Sequence, residues 1–316
     1  MKRVLVVHYS QTGQLSDIVR STIAPLRESP DIEVTSLELK PRVAYPFPWP
    51  VGYFFDTFPE TVYEEPDALE PFDVPDTARF DLVILAYQVW FLSPSKPTMA
   101  FLQSPQAKAW LMDTPVITLI GCRNMWLAAQ ERTKELLAEL GAPLIDNVVL
   151  TDSAHSAFTF ISTPAWMLTG KKGPFLGGVV PAAGVDQTDI DGCRRFGEAI
   201  ARQLPGRAPG DNAPMLTGLG AVSIAEGLID SEKVAKRSFK IWGALLRACG
   251  KPGAIGRRLV LVVYVAFLFT LIVTVIPLLA IIKRLIKPLA RARIARERAY
   301  FAGPSGEDRA LLAPSA

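Results

Sequence analysis

The stretch RVLVVHYSQTGQLSDIV, residues 3–19, decides the fold. A run of apolar residues ends at hydroxyl and amide side chains, passes Gly13, and resumes with helical spacing. An uninterrupted apolar strand is buried on both faces, as in a parallel sheet covered by helices. A strand feeding directly into a helix is the opening of a βαβ unit. The turn between them lies at the carboxyl edge of such a sheet, where open α/β folds bind ligands. Backbone N–H groups there sit at the positive end of the helix and form a ready anion site. Ser10 and Thr12 add hydroxyl donors, and Gly13 allows a tight wrap that a Cβ would obstruct. No Lys or Arg lies in the loop, which suits a phosphate monoester held by neutral donors. The patterns G-x-x-x-x-G-K-[ST] and G-x-G-x-x-G are both absent at this turn, so nucleotide triphosphate and dinucleotide fingerprints fail.

Working outward, further strands are expected at 80–87, 115–121 and 144–151, and an alternating edge strand at 31–39. Helical periodicity covers 15–27, 97–111, 124–140 and 188–204, the last with a possible capping pair Thr188/Asp191. The order predicts five parallel strands joined by crossovers in one α/β domain over 1–204. Residues 41–78 hold eight prolines and many aromatics, PRVAYPFPWPVGYFFDTFPETVYEEPDALEPFDVPDTA. That many prolines disfavours both helix and central strand. An ordered aromatic lid, or a cover over an exposed sheet edge, is expected there. Residues 205–228 read as a Gly/Pro/Ala linker.

The remainder is of another kind. Hydrophobic residues make up 49% of the 316, mean hydropathy is +0.23, and the excess is concentrated at 259–282, LVLVVYVAFLFTLIVTVIPLLAII. At about 1.5 Å per residue this uncharged run reaches ~36 Å, enough for a ~30 Å hydrocarbon layer. Before it, 229–250 reads as an amphipathic interfacial helix. After it, 283–300 is a basic juxtamembrane segment; KRLIKPLARARIARER holds seven Lys/Arg against one Glu. Such clusters suit anionic lipid headgroups better than nucleic acid when they flank an apolar span. Residues 301–316 read as a disordered tail. No apolar stretch of signal length precedes the first turn, so the sheet domain is expected on the cytoplasmic face of the inner membrane, anchored by the C-terminal segment. Both flanks of the span are basic, which leaves single-pass and monotopic arrangements open. Cys122, Cys193 and Cys249 form no CxxC pair or disulfide framework, and two histidines are too few for a structural zinc site.

The loop VVHYSQTGQL resembles the phosphate loop of the flavodoxin-like superfamily. The segment DLVILAYQVWFLSPSKPTMAFLQ (81–103) is similar to that family's strand-3 loop, and LIGCRNMW (119–126) to its post-strand-4 loop. The resemblance implies a flavodoxin-like three-layer α/β/α fold, a five-stranded parallel sheet of order 2-1-3-4-5, and FMN as cofactor. It assigns the phosphate to Ser10, Gln11, Thr12, Gly13, Gln14 and Leu15, with Leu15 standing where the family has threonine. It assigns the edges of the flavin ring to Gln88, Val89, Trp90, Phe91, Leu92 and Ser93, and to Gly121, Cys122 and Arg123. Trp90 is suited to stacking on a flat π surface, a core tryptophan being the plain alternative. Arg123 is suited to an anionic flavin near N1, or is an ordinary surface arginine; Cys122 is taken as inert.

A narrower resemblance, carried by HYSQTGQL, VWFLSPSKPTMAFLQS and the apolar C-terminal segment, is to dialkylresorcinol condensing enzyme and aromatase-type proteins. It implies an oxidoreductase acting on a lipidic small molecule, with a ketosynthase-like partner enzyme. His155, in the extra loop 152–178 after the fifth strand, is the expected catalytic base; a loop histidine with one hydrogen bond is the alternative. His8 reads as a core residue. Other readings are an NAD(P)H:quinone oxidoreductase, with Lys171 and Lys172 attracting a nucleotide phosphate, and a membrane-tethered electron carrier. A homo-oligomer is possible under any of them, and no metal or nucleic acid is expected.

Overall fold

The computed structural model describes residues 1–154 and 156–312, with backbone alone for 156, 157, 276, 277 and 279–289. Six strands run β1 Lys2–His8, β2 Ile32–Glu38, β3 Leu82–Trp90, β4 Ser93–Pro94, β5 Val116–Cys122 and β6 Leu144–Thr151. Helices are α1 Gln14–Glu28, α2 Val51–Asp56, α3 Phe58–Val62, α4 Lys96–Leu102, α5 Pro105–Leu111 and α6 Leu127–Glu139. They continue with α7 Ser156–Thr169, α8 Gln187–Gly192, α9 Arg194–Gln203, α10 Ile229–Ala248, α11 Ile255–Thr270 and α12 Ile276–Ala302.

The sheet order is β2-β1-β3-β5-β6, all parallel, with the two-residue β4 paired antiparallel to β3. Counting the parallel strands alone, this is the expected 2-1-3-4-5. Right-handed crossovers explain the layers: β1 steps to β2 in one direction, while β2, β3 and β5 step to β3, β5 and β6 in the other, which puts α1 on one face and the helices between β3 and β6 on the opposite one. Helices α1, α8 and α9 pack together as one layer. Val4, Leu5, Val6, Val7, Leu82, Val83, Leu85 and Val116 are fully buried, as continuous apolar strands between two layers require.

Several expectations are corrected. The single helix 97–111 is two, because Ser104 caps a fresh start at Pro105 by accepting from the Ala107 N–H at 3.1 Å. The segment 188–204 also divides, at Cys193. Its cap is not the pair Thr188/Asp191: Asp186 is the N-cap residue, and Asp191 accepts from the Gln187 side chain at 2.8 Å. The proline-rich insertion does form helices, α2 and α3, because Pro50 and Pro59 occupy helix starts where a missing N–H costs nothing.

Residues 215–224 are not a free linker. Buried Asp146 on β6 accepts from the N–H groups of Met215 at 2.6 Å and Leu216 at 3.3 Å, and the Val149 N–H donates to the Ala221 carbonyl at 2.9 Å. Nor are residues 301–312 loose: the Ser305 hydroxyl, fully buried, donates to Asp146 at 2.7 Å and accepts from the Asn147 N–H at 2.7 Å. Residues 313–316 of the expected tail lie outside the described residues.

Helix α10 does not lie free in a headgroup plane. Phe239, Trp242 and Leu246 pack with Phe58 and Tyr264, and Gly243 leaves room for the Tyr63 ring. Near its start, buried Glu232 accepts from the Ala128 N–H at 2.9 Å, so α10 supplies the N-terminal cap of α6. Burial raises this carboxyl from 4.5 to about 7, against the pull of the Ala128, Leu127 and Trp126 amides. Below about pH 4.5 folded and unfolded chains are both protonated here and the group's stabilising contribution is complete. Between about 4.5 and 7 the unfolded chain ionises first and that contribution is lost. The shift corresponds to about 3 kcal/mol once pH exceeds the folded value. Glu232→Gln is therefore expected to be more stable than wild type at pH 8 and to lose that advantage by pH 5, read from urea midpoints in detergent. Equal pH profiles would refute the assignment.

Candidate functional site

The candidate site forms where β1, β3 and β5 end. At the first turn Gly13 adopts φ +82°, the left-handed conformation that glycine takes at least cost, and caps α1. Among the described residues, apart from its chain neighbours, no atom lies within 4 Å of where a Cβ on Gly13 would stand, so the turn opens outward. The Ser10 hydroxyl is buried and has no hydrogen-bond partner among the described residues. A buried hydroxyl ordinarily finds a partner, so this one calls for a ligand oxygen or water. Thr12 is half-buried beside it. The remaining predicted phosphate residues do structural jobs. Gln11 donates its backbone N–H to Gln88 Oε1 at 3.1 Å and its side-chain amide to the Pro46 carbonyl at 2.9 Å. Its oxygen accepts from the Tyr9 hydroxyl. The Gln14 side chain pairs with both backbone groups of Val185, each at 3.1 Å. Leu15 points into the core: a Cβ on Gly121 would stand 3.2 Å from its Cδ1. The side chain at position 15 packs beneath the turn and offers no donor to an anion.

The second loop is a hairpin. Trp90 pairs with Ser93 and Val89 with Pro94 across a two-residue turn in which Phe91 (φ 49°) and Leu92 (φ 61°) are both left-handed. Such a turn is ordinarily built from Asn and Gly, and each bulky residue in it costs of order 1–3 kcal/mol. Buried surroundings hold it: Leu92 is 5% exposed and Phe91 packs on Phe54 and Phe58, 5.2 and 5.4 Å between centroids. Gln88 reaches back to the first loop through its side chain, tying the two together.

Trp90 is 9% exposed and meets three rings edge to face: Tyr45 at 4.9 Å, Trp49 at 5.4 Å and Tyr9 at 5.9 Å. Tyr45 and Trp49 belong to the 41–78 insertion, which therefore closes over this edge of the sheet. The closure is pinned on the far side, where the Trp49 N–H donates to the Met167 carbonyl at 2.9 Å and Phe47 abuts Trp166 at 6.4 Å. A flat ligand lying on Trp90 requires Tyr45 and Trp49 to swing away. Behind them lies a cleft of about 200 Å³ lined by Tyr45, Tyr53, Asp56, Glu60, Asp67 and Lys96. It is separate from the first turn. The Tyr45 hydroxyl donates to Asp67, and Lys96 pairs with the same carboxylate at 2.6 Å.

Gly121 and Cys122 end β5, half-buried, and burial pushes the Cys122 thiol well up, so it is no thiolate. The Arg123 guanidinium lies 4.0 Å from the centroid of Phe160 on α7, and desolvation lowers its pKa to about 10. A desolvated cation at a sheet edge is available to an anionic ligand at little further cost. His8 ends β1, and burial lowers its pKa. Its Nδ1 is also buried without a partner among the described residues. His155, the expected base, lies outside the described residues.

Asp152 was missed by the sequence reading. It accepts from the Ala154 N–H at 2.9 Å, the Gly184 N–H at 2.8 Å and the Thr163 hydroxyl at 3.2 Å, organising the chain after β6. An Asp directly after a strand was its only sequence signal. Among the described residues no group of three or more His, Cys, Asp or Glu could hold a metal ion.

The fold is flavodoxin-like. No protein-family profile matches the chain, and no curated protein matches it. Solved structures do. One is a flavoprotein from Lactobacillus acidophilus NCFM in complex with FMN, 18% identical over 47% of this chain and 93% of its own, TM-score 0.38. A WrbA-like flavodoxin protein from Agrobacterium tumefaciens is 10% identical over 65% of this chain and 98% of its own, TM-score 0.36. A flavone reductase is 11% identical over 65% and 63%, TM-score 0.33. These likenesses carry no argument about activity.

Proposed function

We propose that the chain is a membrane-associated, FMN-dependent oxidoreductase that aromatises a lipidic cyclohexanedione in dialkylresorcinol-type biosynthesis. The observation that carries the cofactor assignment is the unpartnered Ser10 hydroxyl beside the left-handed, open Gly13 at the positive end of α1. Ser10, Thr12 and the turn's amides would hold the phosphate, and residues 88–93 and 121–123 would border the ring. Bound FMN supplies a hydride acceptor, and the dione loses one hydride and one proton to become a resorcinol.

The chain's own residues would do the rest. Tyr45, Trp49 and Tyr53 give apolar walls that exclude water from the ring edge. Arg123 would stabilise negative charge there, and His155 is the proposed base. An enzyme is favoured over an electron carrier because carriers rely on a strongly charged, open face for docking. Here the edge is roofed by aromatic rings and the net charge is +3. The long alkyl chains of the substrate class fit a protein with a helix at Ile255–Val275 long and apolar enough to span a membrane. Cytoplasmic-face location and a ketosynthase-like partner belong to the same proposal.

The test is the spectrum of detergent-purified protein. Flavin absorbance, with FMN and not FAD released on denaturation, is the expected result; protein that is colourless and refuses added FMN defeats the proposal. Anaerobic bleaching by a 2,5-dialkylcyclohexane-1,3-dione without nicotinamide supports aromatisation. Bleaching by NADPH with reoxidation by a quinone would instead establish the reductase reading.

A further inference from the structure

Both ends of the apolar segment are fastened to the same domain. At its start Arg257, fully buried, pairs with Asp56 at 2.6 Å and with both oxygens of Glu60 at 2.6 Å. Two turns on, Tyr264 stacks on Phe58, 4.8 Å between centroids and 11° between planes, and Trp242 of α10 packs on Tyr264 and Phe267. At the far end Arg293 forms a fork with Asp230 of α10 at 2.7 and 2.8 Å. Arg298 pairs with Glu226 at 2.9 Å, the Tyr300 hydroxyl donates to Glu131 of α6 at 2.7 Å, and Ala302 is buried in the sheet domain's core.

The lengths decide what this means. Trp242 and Asp230 lie twelve residues apart on one helix, about 18 Å. Their partners Phe267 and Arg293 are twenty-six residues apart, about 39 Å if the helix ran straight. The chain therefore bends between them. The π-helical turn Leu271–Val275 followed by Pro277 at the start of α12 is the break in regular α-helix between them, the kind of feature at which helices kink. Between the fastened ends, large apolar side chains face outward: Leu259 is 66% exposed, Val262 70%, Val263 59%, Phe269 57% and Val273 70%. That surface is too apolar to face water. Its occupant is set by charge: Arg237, Lys240, Lys251, Arg258, Arg291 and Arg296 are exposed on its flanks, the pattern of a surface for anionic headgroups.

We propose that the segment dips into one leaflet of an anionic bilayer and returns, so that both flanks stay on the side that holds the sheet domain. This deepens the membrane part of the function proposed above and is independent of flavin. A straight crossing of ~30 Å would carry Arg293 and everything after it away from Asp230, Glu226 and Asp146.

The full-length chain with Cys249→Ala, carrying one new cysteine at a time, tests it in sealed membrane vesicles with a membrane-impermeant maleimide. Ser36→Cys marks the side of the sheet domain. Lys251→Cys and Ala295→Cys are expected to label from that same side, equally with and without detergent. Val263→Cys is expected to be shielded at least tenfold until detergent is added. Ala295→Cys reacting only after detergent would establish a crossing and overturn the proposal. Val263→Cys reacting as fast as Lys251→Cys in intact vesicles would remove the lipid and overturn it too. Ala299→Cys, exposed one turn on, replaces Ala295→Cys if that variant fails to accumulate. Colourless protein that labels as expected would defeat the flavin reading and leave this one standing.

Discussion

Arg257→Ala is expected to destabilise the protein by about 3–5 kcal/mol, the usual cost of stripping the cation from a buried ion cluster. The arginine side chain is 0% exposed, and Asp56 and Glu60 are 15% and 10% exposed. Its Nη2 also donates to the Asp56 carbonyl at 2.5 Å, and Asp56 accepts from the Gly253 N–H at 2.8 Å. Removing the guanidinium leaves two carboxylates facing each other with little water. Arg257→Lys should recover only part of the loss, because a point charge cannot fork across Glu60. The triple variant Arg257→Met, Asp56→Asn, Glu60→Gln should recover most of it, since no charge is then stranded. Urea midpoints in detergent measure all three. A cost below about 1 kcal/mol for Arg257→Ala would mean that water reaches the cluster, as at an ordinary surface pair.

Gly13→Val is expected to weaken FMN binding at least a hundredfold while lowering stability by only about 1–2 kcal/mol, the strain of a left-handed branched residue. The disparity is the point. Because no described residue beyond its chain neighbours comes within 4 Å of a Cβ at this position, the added methyls meet chiefly what the turn holds. Ser10→Ala is the milder companion: a lost donor to a charged oxygen is worth about 1.5–3 kcal/mol, ten- to over a hundredfold in affinity. Titration of the apoprotein with FMN, followed by quenching of flavin fluorescence, reads both. Native affinity in Gly13→Val would move the phosphate out of this turn.

What could be read from the sequence was what local pattern controls. Strands β1, β3 and β5 are apolar without alternation because both faces are covered; their order in the sheet was implied by the family resemblance and not by the pattern. The Ser10–Gly13 turn was legible because a strand, a hydroxyl pair, a glycine and a helix stand in series. Long-range partners were not. Nothing near Gln14 announces Val185, and nothing in a Gly/Pro/Ala-rich stretch announces that Met215 and Leu216 donate to Asp146. The insertion misled because prolines were counted instead of placed. Pro50 and Pro59 stand at the starts of helices, where a missing N–H costs no intrahelical bond. Trp90 packs as the core alternative read for it, and its partners Tyr45 and Trp49, more than forty residues earlier, could not be told from the local pattern.

The outer rim of β6 sets an order of events for a chain emerging from a ribosome. Its hydrogen-bonding edge is covered by 215–224, and its Asp146 and the Asn147 N–H gain their last partner only when Ser305 arrives. The greasy bend at 255–275 leaves the exit tunnel before that serine does. A nascent chain thus presents a strand rim still unfinished at Asp146 and Asn147 together with a sticky helix, a combination prone to mispairing. Early capture of the helix by a bilayer or a chaperone would then protect the unfinished sheet as well.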